Sequence, residues 1–260
     1  ACAAEDENRA EETLPSARVL RDRPIIVGFG PAGMFAALIL AQAGLRPLVL
    51  ERGQEVDART ASVERFWREG TLNEQSNVQF GEGGAGTFSD GKLTTGIKDA
   101  RIRKVLEEFV AAGAPKEILY KQKPHIGTDV LRLVVKNIRE EIKRLGGEVR
   151  FNTLVEDLRV ENGRVSGVIC AQDGAETDHE SGCGIPTRCI PCQTVIFAMG
   201  HSARDTFEML LESGVPMEPK PFSMGVRIEH PQRLIDESQY GPFAGNPNLP
   251  AADYKLNVHL

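Results

Sequence analysis

The sequence lacks the features that would place it in a membrane or in a nucleic-acid complex. No apolar run approaches the ~20 residues that span a bilayer, since the longest, from Met34 to Ala43, is interrupted by Gln42. An excess of basic residues is also missing, because the net charge is −6 at pH 7. Proteins that bind nucleic acids usually carry a clustered basic face. We therefore expect no membrane span and no nucleic-acid partner.

Cysteines are few and unevenly spaced. Five of them in 260 residues do not form a disulfide framework, which favours a reducing compartment such as the cytoplasm. Three lie close together, at Cys183, Cys189 and Cys192. A zinc or iron–sulfur site would need Cys170 or His179 as a further ligand, and a CxxC pair could exchange electrons. The spacing matches no standard metal pattern, so we favour incidental cysteines and predict no metal.

What the sequence does contain is a globular composition, with 41% hydrophobic and 26% charged residues. Its opening, residues 1–23, has no signal-peptide order and is interpreted as a tail or the remnant of another domain. Residues 24–214 are predicted to form a nucleotide-binding domain. Residues 215–260 are rich in proline and glycine and end in a strand-like run, so we interpret them as the start of a truncated substrate domain. The chain is therefore expected to be a fragment.

The clearest local pattern is a strand–helix–strand unit. Apolar strands are predicted at Pro24–Val27 and Pro47–Leu50, and an apolar helix at Pro31–Ala43 lies between them before Gly44. One such unit in about 27 residues indicates neighbouring parallel strands. The fold class is therefore predicted to be α/β with a parallel sheet.

Further helices are predicted from apolar spacing, capping residues and terminal glycines. They are Val56–Arg68, a helix capped by Asp99 and closed by Gly113, a helix capped by Thr128 or Asp129 and closed by Gly146, and a helix from Ser202 through Ser213 with Asp205 in a capping box. The third of these has the clearest buried stripe, formed by Leu131, Val134, Val135, Ile138, Ile142 and Leu145.

Further strands follow the same reasoning. A hairpin is predicted around Asn162-Gly163, a strong two-residue turn signal, with strands at Val155–Val160 and Val165–Cys170. Ala171–Cys192 is interpreted as an irregular excursion. Additional strands are predicted at Glu148–Phe151, Val195–Ala198 and Ser223–Glu229.

The first turn of the βαβ unit carries the glycine pattern of a dinucleotide site. Gly28 permits the tight turn out of the strand, Gly30 lets a pyrophosphate approach the backbone, and Gly33 lets the helix pack close to the strand. Pro31 and Ala32 begin the helix, whose free amides and positive dipole end favour phosphates. The pattern predicts a Rossmann-like domain.

Glu51 completes this pattern at the end of the second predicted strand. It lies 51 − 28 = 23 residues after the first glycine, where an acidic side chain accepts hydrogen bonds from ribose hydroxyls. A carboxylate there also repels a 2′-phosphate, which argues against NADP. The strand, helix, second strand and terminal acid together give the context that a lone GxGxxG lacks.

A second glycine-rich segment, Gly81–Gly91, favours FAD over NAD as the predicted cofactor. A simple NAD domain does not need it, whereas its backbone amides could approach the inner part of an extended dinucleotide. A surface loop is the alternative interpretation. The segments that carry a family resemblance are Ile25–Arg52, Asn77–Leu93, Lys123–Asp129, Gly200–Arg204, Lys220-Pro221-Phe222, Gly225–Pro231 and Ala252–Leu256. The first resembles the FAD-binding signature of glutathione-reductase-type flavoproteins. Together they resemble a poorly characterised bacterial and plastid family of FAD-dependent dehydrogenases.

This resemblance implies an FAD-dependent oxidoreductase, with a plastid stroma as the alternative to the cytoplasm. Further cofactor contacts are implied at Arg52, Gly83, Gly84, Gly86, Thr87, Val155, Ala198 and Gly200. The loop glycines and Thr87 would hold the inner phosphate or ribityl chain, and Val155 would contact adenine through its backbone. Met199 stands where the family fold usually has threonine, so that hydroxyl contact is absent.

No catalytic residue is identified. Candidates for substrate contact are Lys92, Arg227, Glu229 and His230, and His201 could approach the flavin although a loop role is favoured. Structural roles are expected for His125, Asp129 and Trp67, the last packing under the glycine-rich segment. The expected partners are a small-molecule substrate and an unidentified electron donor or acceptor. The alternative functions are an NAD-dependent dehydrogenase and a nucleotide-binding module without turnover.

Overall fold

The computed structural model describes residues 22–89, 91–93, 95, 97–121, 124–172, 187–222, 225 and 228–254. The chain divides into two compact units, Ala1–Pro216 and Met217–Leu260. The strands of the first unit are β1 (Ile25–Val27), β2 (Leu48–Leu50), β3 (Glu148–Arg150), β4 (Thr153–Glu161), β5 (Arg164–Gln172), β6 (Thr187–Pro191) and β7 (Val195–Phe197). Its α-helices are α1 (Pro31–Gln42), α2 (Val56–Glu69), α3 (Arg101–Ala111), α4 (Thr128–Arg144) and α5 (Arg204–Glu212).

A four-stranded sheet with the order β3-β2-β1-β7 organises the first unit. Each neighbouring pair in it is parallel. The chain adds β2 and β3 on one side of β1 and then returns to place β7 on the other side, which creates a topological switch beside β1. This is a Rossmann-like arrangement, and the predicted α/β class with its βαβ start is confirmed.

The parallel sheet is buried on both faces because its short strands are continuously apolar. Ile26 and Val49 contribute to a hydrophobic cluster with α1 and α4. Ile25, Val27 and Leu48 contribute to a second cluster with β4 and β5. The alternation of side chains along each strand thus divides the first unit into a helical layer, the sheet and a second β layer. The predicted stripe on α4 is also buried, with Leu145 partly so.

The second β layer is the antiparallel meander β4-β5-β6. Asn162 and Gly163 both have positive φ, at 52° and 72°, as a two-residue type I′ hairpin requires, and the predicted hairpin is confirmed. The interpretation of Ala171–Cys192 as irregular throughout was wrong, because β5 extends to Gln172 and residues 187–191 form β6. Backbone pairing with β5 stabilises β6, and that long-range partner leaves no local sequence signal.

Two predicted helix caps were also wrong. Gly127, with φ of 89°, occupies the N-cap of α4, and Thr128 instead donates its hydroxyl to the carbonyl of Ser89. Ala203 occupies the N-cap of α5, and no side-chain capping bond is formed there. The hydroxyl of Ser202 faces Gln79 across the fold. In both helices the polar side chain makes a tertiary contact in place of the local one.

The second unit contains α6 (Gln232–Tyr240), which the sequence analysis missed. Pro231 precedes it at the N-cap, and none of its residues is buried. Its two aliphatic residues, Leu234 and Ile235, are adjacent, so nine residues do not repeat an apolar stripe like that of α4. A short 3-10 helix follows at Gly241–Phe243. Part of the predicted strand Ser223–Glu229 lies outside the described residues.

The core on α4 gives a direct test of the layer arrangement. Ile138 is 2% exposed in the cluster under the sheet, whereas Leu133 on the same helix is 53% exposed. We expect Ile138→Ala to lower the free energy of unfolding by about 2–4 kcal/mol, because it leaves a cavity in a packed core. Leu133→Ala should cost under about 1 kcal/mol. Denaturant unfolding followed by circular dichroism measures both, and equal losses would contradict this packing.

Candidate functional site

A cavity of about 360 Å³ lies at the carboxyl ends of β1, β2 and β7. Open α/β sheets bind their ligands at this edge, beside the topological switch, and the volume falls within the usual range for ligand sites. The predicted residues that line it are Gly28, Gly30, Pro31, Ala32, Glu51, Arg52, Gly84, Gly86, Val155, Ala198 and Gly200. The structure therefore brings together residues that are spread over most of the first unit.

The glycines of the first turn are required by close backbone approaches. A Cβ on Gly33 would lie 1.9 Å from the carbonyl oxygen of Gly28, so α1 packs against the turn only because that position has no side chain. A Cβ on Gly28 would lie 2.8 Å from the carbonyl oxygen of Ala198. Gly30 differs, since its φ of −74° is open to any residue and its Cβ would meet only Gly84, at 3.7 Å. Gly33 thus supports the turn, and Gly30 keeps the cavity open.

The second glycine-rich segment lies directly against this turn. The amide of Gly83 donates to the carbonyl of Phe29 at 2.8 Å, and a Cβ on Gly84 would lie 3.0 Å from the Cα of Gly30. Gly83 and Thr87 do not line the cavity. A Cβ on Gly83 would lie 2.0 Å from the hydroxyl of Thr87, and that hydroxyl donates to the carbonyl of Glu82. These two residues therefore fix the conformation of the segment without contacting the cavity.

Glu51 is a buried carboxylate that accepts hydrogen bonds from backbone amides of three segments. Oε2 accepts from the amide of Phe29 at 2.6 Å, and Oε1 accepts from the amides of Gly53 at 2.9 Å and Gly81 at 3.0 Å. The residue is 4% exposed and lies at the cavity wall. Its charge is therefore fixed in position before any ligand arrives.

Arg59 holds the segment that carries Gly81 in place. Its guanidinium is fully buried and donates to the carbonyls of Asn77, Val78 and Glu82. It also lies over the ring of Phe88, 4.8 Å from the centroid. Burial lowers the pKa of Arg59 to about 10, against the opposing fields of nearby carboxylates. Nothing in the sequence pattern singled out this residue.

Glu82 is a second fully buried carboxylate beside the cavity wall. Its Oε2 accepts from the amide of Val56 at 2.7 Å and from Arg139 at 2.9 Å. Its Oε1 is buried and has no hydrogen-bond partner among the described residues. Burial therefore raises the pKa of Glu82, although the amide of Val56 and the charge of Arg139 oppose the shift.

Arg52 connects three elements at the mouth of the cavity. Its guanidinium donates to Asp205 Oδ2 on α5 at 2.5 Å and lies over the ring of Phe80, 4.7 Å from the centroid. Partial burial alone would raise the pKa of Asp205, but hydrogen bonds from Arg52 and the amide of Thr206 hold it below its ordinary value. The predicted capping role of Asp205 is therefore replaced by an ion pair across the fold.

Three more lining residues, Gly81, Ala85 and Met199, belong to segments that the sequence predicted to lie beside the cofactor. The lining residues that were not expected from the sequence are Val27, Leu50, Gln79, Phe80, Thr153, Leu154, Ser202, Ala203 and Thr206. The sequence did hold a signal for Thr153 and Leu154. They come just after the predicted strand β3, and the carboxyl end of a parallel strand lies at the same edge of the sheet as the first glycine turn. Gln79 and Phe80 had none, because a segment without regular structure positions them.

Other candidate residues occupy different places. His201 lines the cavity, whereas Lys92 and His125 form an isolated antiparallel bridge outside it. Trp67 packs edge-on against Phe88 of the glycine-rich segment, with ring centroids 6.3 Å apart, so the predicted contact is present, although the side chain is 61% exposed. The Nε2 of His230 lies 2.7 Å from the hydroxyl of Tyr254 in the second unit. Glu229 is exposed, Asp129 lies in the first turn of α4, and Arg227 lies outside the described residues.

The cysteines do not support a dithiol at positions 189 and 192. Cys189 is exposed, whereas Cys192 is buried in the cluster behind the meander. Burial raises the pKa of Cys170 to about 12 and that of Cys192 to about 11, which leaves both thiols protonated near neutral pH. Within the described residues, no three side chains of metal-binding type come together. Cys183 and His179 lie outside those residues.

No helix in the described part of the chain combines the length and apolar character needed to cross a bilayer.

Comparisons with known proteins point to FAD-dependent proteins. Residues 221–260 match the family "FAD-dependent protein, C-terminal domain-like". An uncharacterized protein of Clostridium beijerinckii is 52% identical over 252 residues, which cover 96% of this chain and 44% of that protein. The chain thus spans less than half the length of this curated relative. The family match supports FAD as the cofactor.

Among solved structures, THI4 of Thermovibrio ammonificans has a TM-score of 0.49 and 19% identity, over 75% of this chain and 64% of that one. The glycerol-3-phosphate dehydrogenase of Bacillus halodurans, solved in complex with FAD, has a TM-score of 0.39 and 16% identity. That match covers 70% of this chain and 34% of the other.

The buried carboxylate Glu82 predicts a pH dependence of stability. Because burial raises its pKa in the folded state, Glu82 keeps a proton there at pH values where the unfolded chain has lost it. The protonated carboxyl therefore contributes to the free energy of unfolding. This contribution is complete at pH values below the ordinary pKa of 4.5 and is lost as pH rises through the raised pKa. The free energy of unfolding of the wild type, measured relative to Glu82→Gln, should therefore fall as pH increases from about 4 to 8.

Glu140→Gln on α4 is the matched control. A hydrogen bond from Lys143 lowers the pKa of Glu140. The free energy of unfolding of the wild type, measured relative to Glu140→Gln, should therefore rise with pH, because the ionised carboxylate stabilises the fold. Urea unfolding across this pH range measures both, and parallel curves for the two variants would contradict the assignment.

Proposed function

We propose that the protein is an FAD-dependent oxidoreductase whose cavity holds the ADP portion of FAD. The observation that carries the proposal is the convergence of two glycine-rich segments, the N-terminus of α1 and the carboxylate of Glu51 on one cavity. The match of residues 221–260 to an FAD-dependent family supports the same cofactor.

In this proposal the pyrophosphate lies at Gly30 and the first turn of α1. The first turn of a helix leaves backbone amides without helical partners, and its dipole favours negative charge. Pro31 at the first position contributes no amide, so Ala32 and Gly33 supply the donors. Gly84 and Gly86 line the cavity from the second segment, where the lack of side chains would leave room for the inner phosphate or the ribityl chain. Gly83 and Thr87 maintain the conformation of this segment, in which the amide of Gly84 donates to the carbonyl of Gly81.

Glu51 would accept the adenosine ribose. An ionised carboxylate offers about four lone-pair sites, and three already accept the amides of Phe29, Gly53 and Gly81. One acceptor site is left for a ribose hydroxyl, on a carboxylate that the amides hold rigidly. The same three bonds make Glu51 a support of the cavity wall, so its substitution would affect the fold as well as the ligand.

Adenine is assigned to the end of the cavity formed by the start of β4. Val155 lines it together with Thr153 and Leu154, which suits the backbone contact expected for Val155. Ala198 and Gly200 form the opposite wall after β7, where small residues leave room for the cofactor. Met199 contributes an apolar side chain there.

A bound flavin would supply the redox chemistry, while the protein supplies binding, orientation and exclusion of water. A small-molecule substrate and an electron donor or acceptor complete this proposal, in the cytoplasm or a plastid stroma. The described residues assign no catalytic acid or base.

The glycine turn and Glu51 would suit NAD equally well. The second glycine-rich segment favours FAD, because Gly84, Ala85 and Gly86 extend the cavity wall beyond the first glycine turn and a simple NAD domain does not need such a segment. A nucleotide-binding module without turnover would bind FAD in the same way, but no electron donor would reduce the bound flavin.

The first test is retention of FAD by the purified chain. Flavin absorption bands should survive incubation with FAD followed by desalting, whereas NAD should be lost. Gly30→Ala should weaken FAD binding at least about tenfold, because a methyl group enters the space left for the pyrophosphate. Its melting temperature without ligand should match the wild type within about 2 °C, since the backbone at Gly30 is unstrained and the added Cβ makes no clash.

Gly225→Ala is the control, because its added Cβ meets no atom within 4 Å and Gly225 does not line the cavity. This variant should bind FAD as the wild type does. Retention of NAD in place of FAD would support the alternative dehydrogenase, and equal FAD affinity in Gly30→Ala would contradict the pyrophosphate assignment.

A further inference from the structure

Arg52 occupies a position that usually decides whether a dinucleotide site accepts a 2′-phosphate. It follows Glu51 directly at the end of β2 and lines the same cavity. In Rossmann-type sites the acid at this point selects an unmodified ribose, and an arginine nearby accommodates the 2′-phosphate of NADP. This chain places both residue types side by side, so the sequence alone gives conflicting signals about the ribose.

The structure resolves the conflict through Asp205. Oδ2 of Asp205 accepts from Arg52 at 2.5 Å, and Oδ1 accepts from the amide of Thr206 at 2.8 Å, so the carboxylate is itself fixed. The arginine side chain is only 11% exposed and lies over the ring of Phe80. The Asp205 side chain of this pair is 54% exposed, so water screens the ion pair in part, and the stacking on Phe80 adds a second contact to the guanidinium. Turning Arg52 toward a ribose would therefore break both the ion pair and the stacking contact.

We propose that Asp205 determines the specificity of this site, by holding Arg52 away from the ribose so that only adenosine without a 2′-phosphate is accepted. The inference rests on the proposed function, because it assigns the ribose to Glu51. Two arginines lie near Glu51 in the described part of the chain, and both are engaged: Arg52 pairs with Asp205, and Arg59 donates to three backbone carbonyls. A 2′-phosphate would therefore meet the carboxylate of Glu51 while Asp205 holds the guanidinium of Arg52.

Removing the carboxylate of Asp205 reverses this balance. Asp205→Asn leaves the guanidinium of Arg52 without its anionic partner and removes one negative charge near the ribose end. A guanidinium is well suited to bind a phosphate through two parallel hydrogen bonds. The variant should therefore gain affinity for a 2′-phosphorylated ligand, while its affinity for ADP changes little.

The experiment measures binding of ADP and of adenosine 2′-phosphate 5′-diphosphate by isothermal titration calorimetry. For the wild type we expect ADP to bind at least about tenfold more tightly than the 2′-phosphorylated ligand. In Asp205→Asn this ratio should fall about five- to tenfold. Asp205→Glu retains the charge and should preserve the wild-type ratio.

Two further variants separate this mechanism from a general change in charge. Glu208→Gln removes one negative charge from the exposed side of the same helix and should leave the ratio unchanged. The double variant Asp205→Asn with Arg52→Ala should lose the gain, because the gain depends on the freed guanidinium. Melting temperatures confirm that each variant folds, and an unchanged ratio in folded Asp205→Asn would overturn the specificity proposal.

Failure of the proposed function would look different. If the folded wild type bound neither ADP nor FAD, the assignment of the cavity would fail, and Asp205 would have no ribose to select. If it bound ADP and FAD but Asp205→Asn discriminated as the wild type does, only the role of Asp205 would be lost. A gain that persists in the double variant would also contradict that role.

Discussion

One buried carboxylate joins the segments from which the cavity is built. Phe29, Gly53 and Gly81 come from three separate connections, and each donates its amide to Glu51. Hydrogen bonds to a charged acceptor are among the stronger ones, and a buried charge has to be satisfied in this way. The position of the first glycine turn relative to the second therefore depends on this side chain. A residue that sequence patterns assign to the ligand also supports the architecture of its own site.

A second set of buried charges stabilises the outer side of the same wall. Arg59 bonds three carbonyls of residues 77–82, and Glu82 connects the start of α2 to Arg139 on α4. Such groups are costly to bury and are stable only when their partners are present. They specify one path for a segment without regular structure, whose apolar content is too low to fix that path by packing.

The sequence predicted the parts of the molecule that local periodicity encodes. The βαβ unit, the buried stripe of α4 and the Asn162-Gly163 hairpin all depend on short-range patterns. It could not predict the side chains that act between distant segments, such as Arg59 or Asp205, because a polar residue leaves no period that reveals its partner. Strand β6 was missed for a related reason, since it pairs with β5 across the long segment 173–186 and the pairing leaves no local pattern in its own five residues. The residues that line the cavity show the same difference. The sequence predicted the glycines, whereas it did not predict Gln79 and Phe80, which lie in a segment without regular structure.

The pairing of β1 with β7 has a consequence during synthesis. Val195 pairs with Ile25, and the turn after β7 closes the cavity against Gly28. At roughly 5–20 residues per second, β7 leaves the ribosome on the order of ten seconds after β1. Throughout that interval β1 has an open edge, which is a template for unwanted strand pairing. The open edge closes only when β7 pairs with β1, so the last strand of the sheet protects the first.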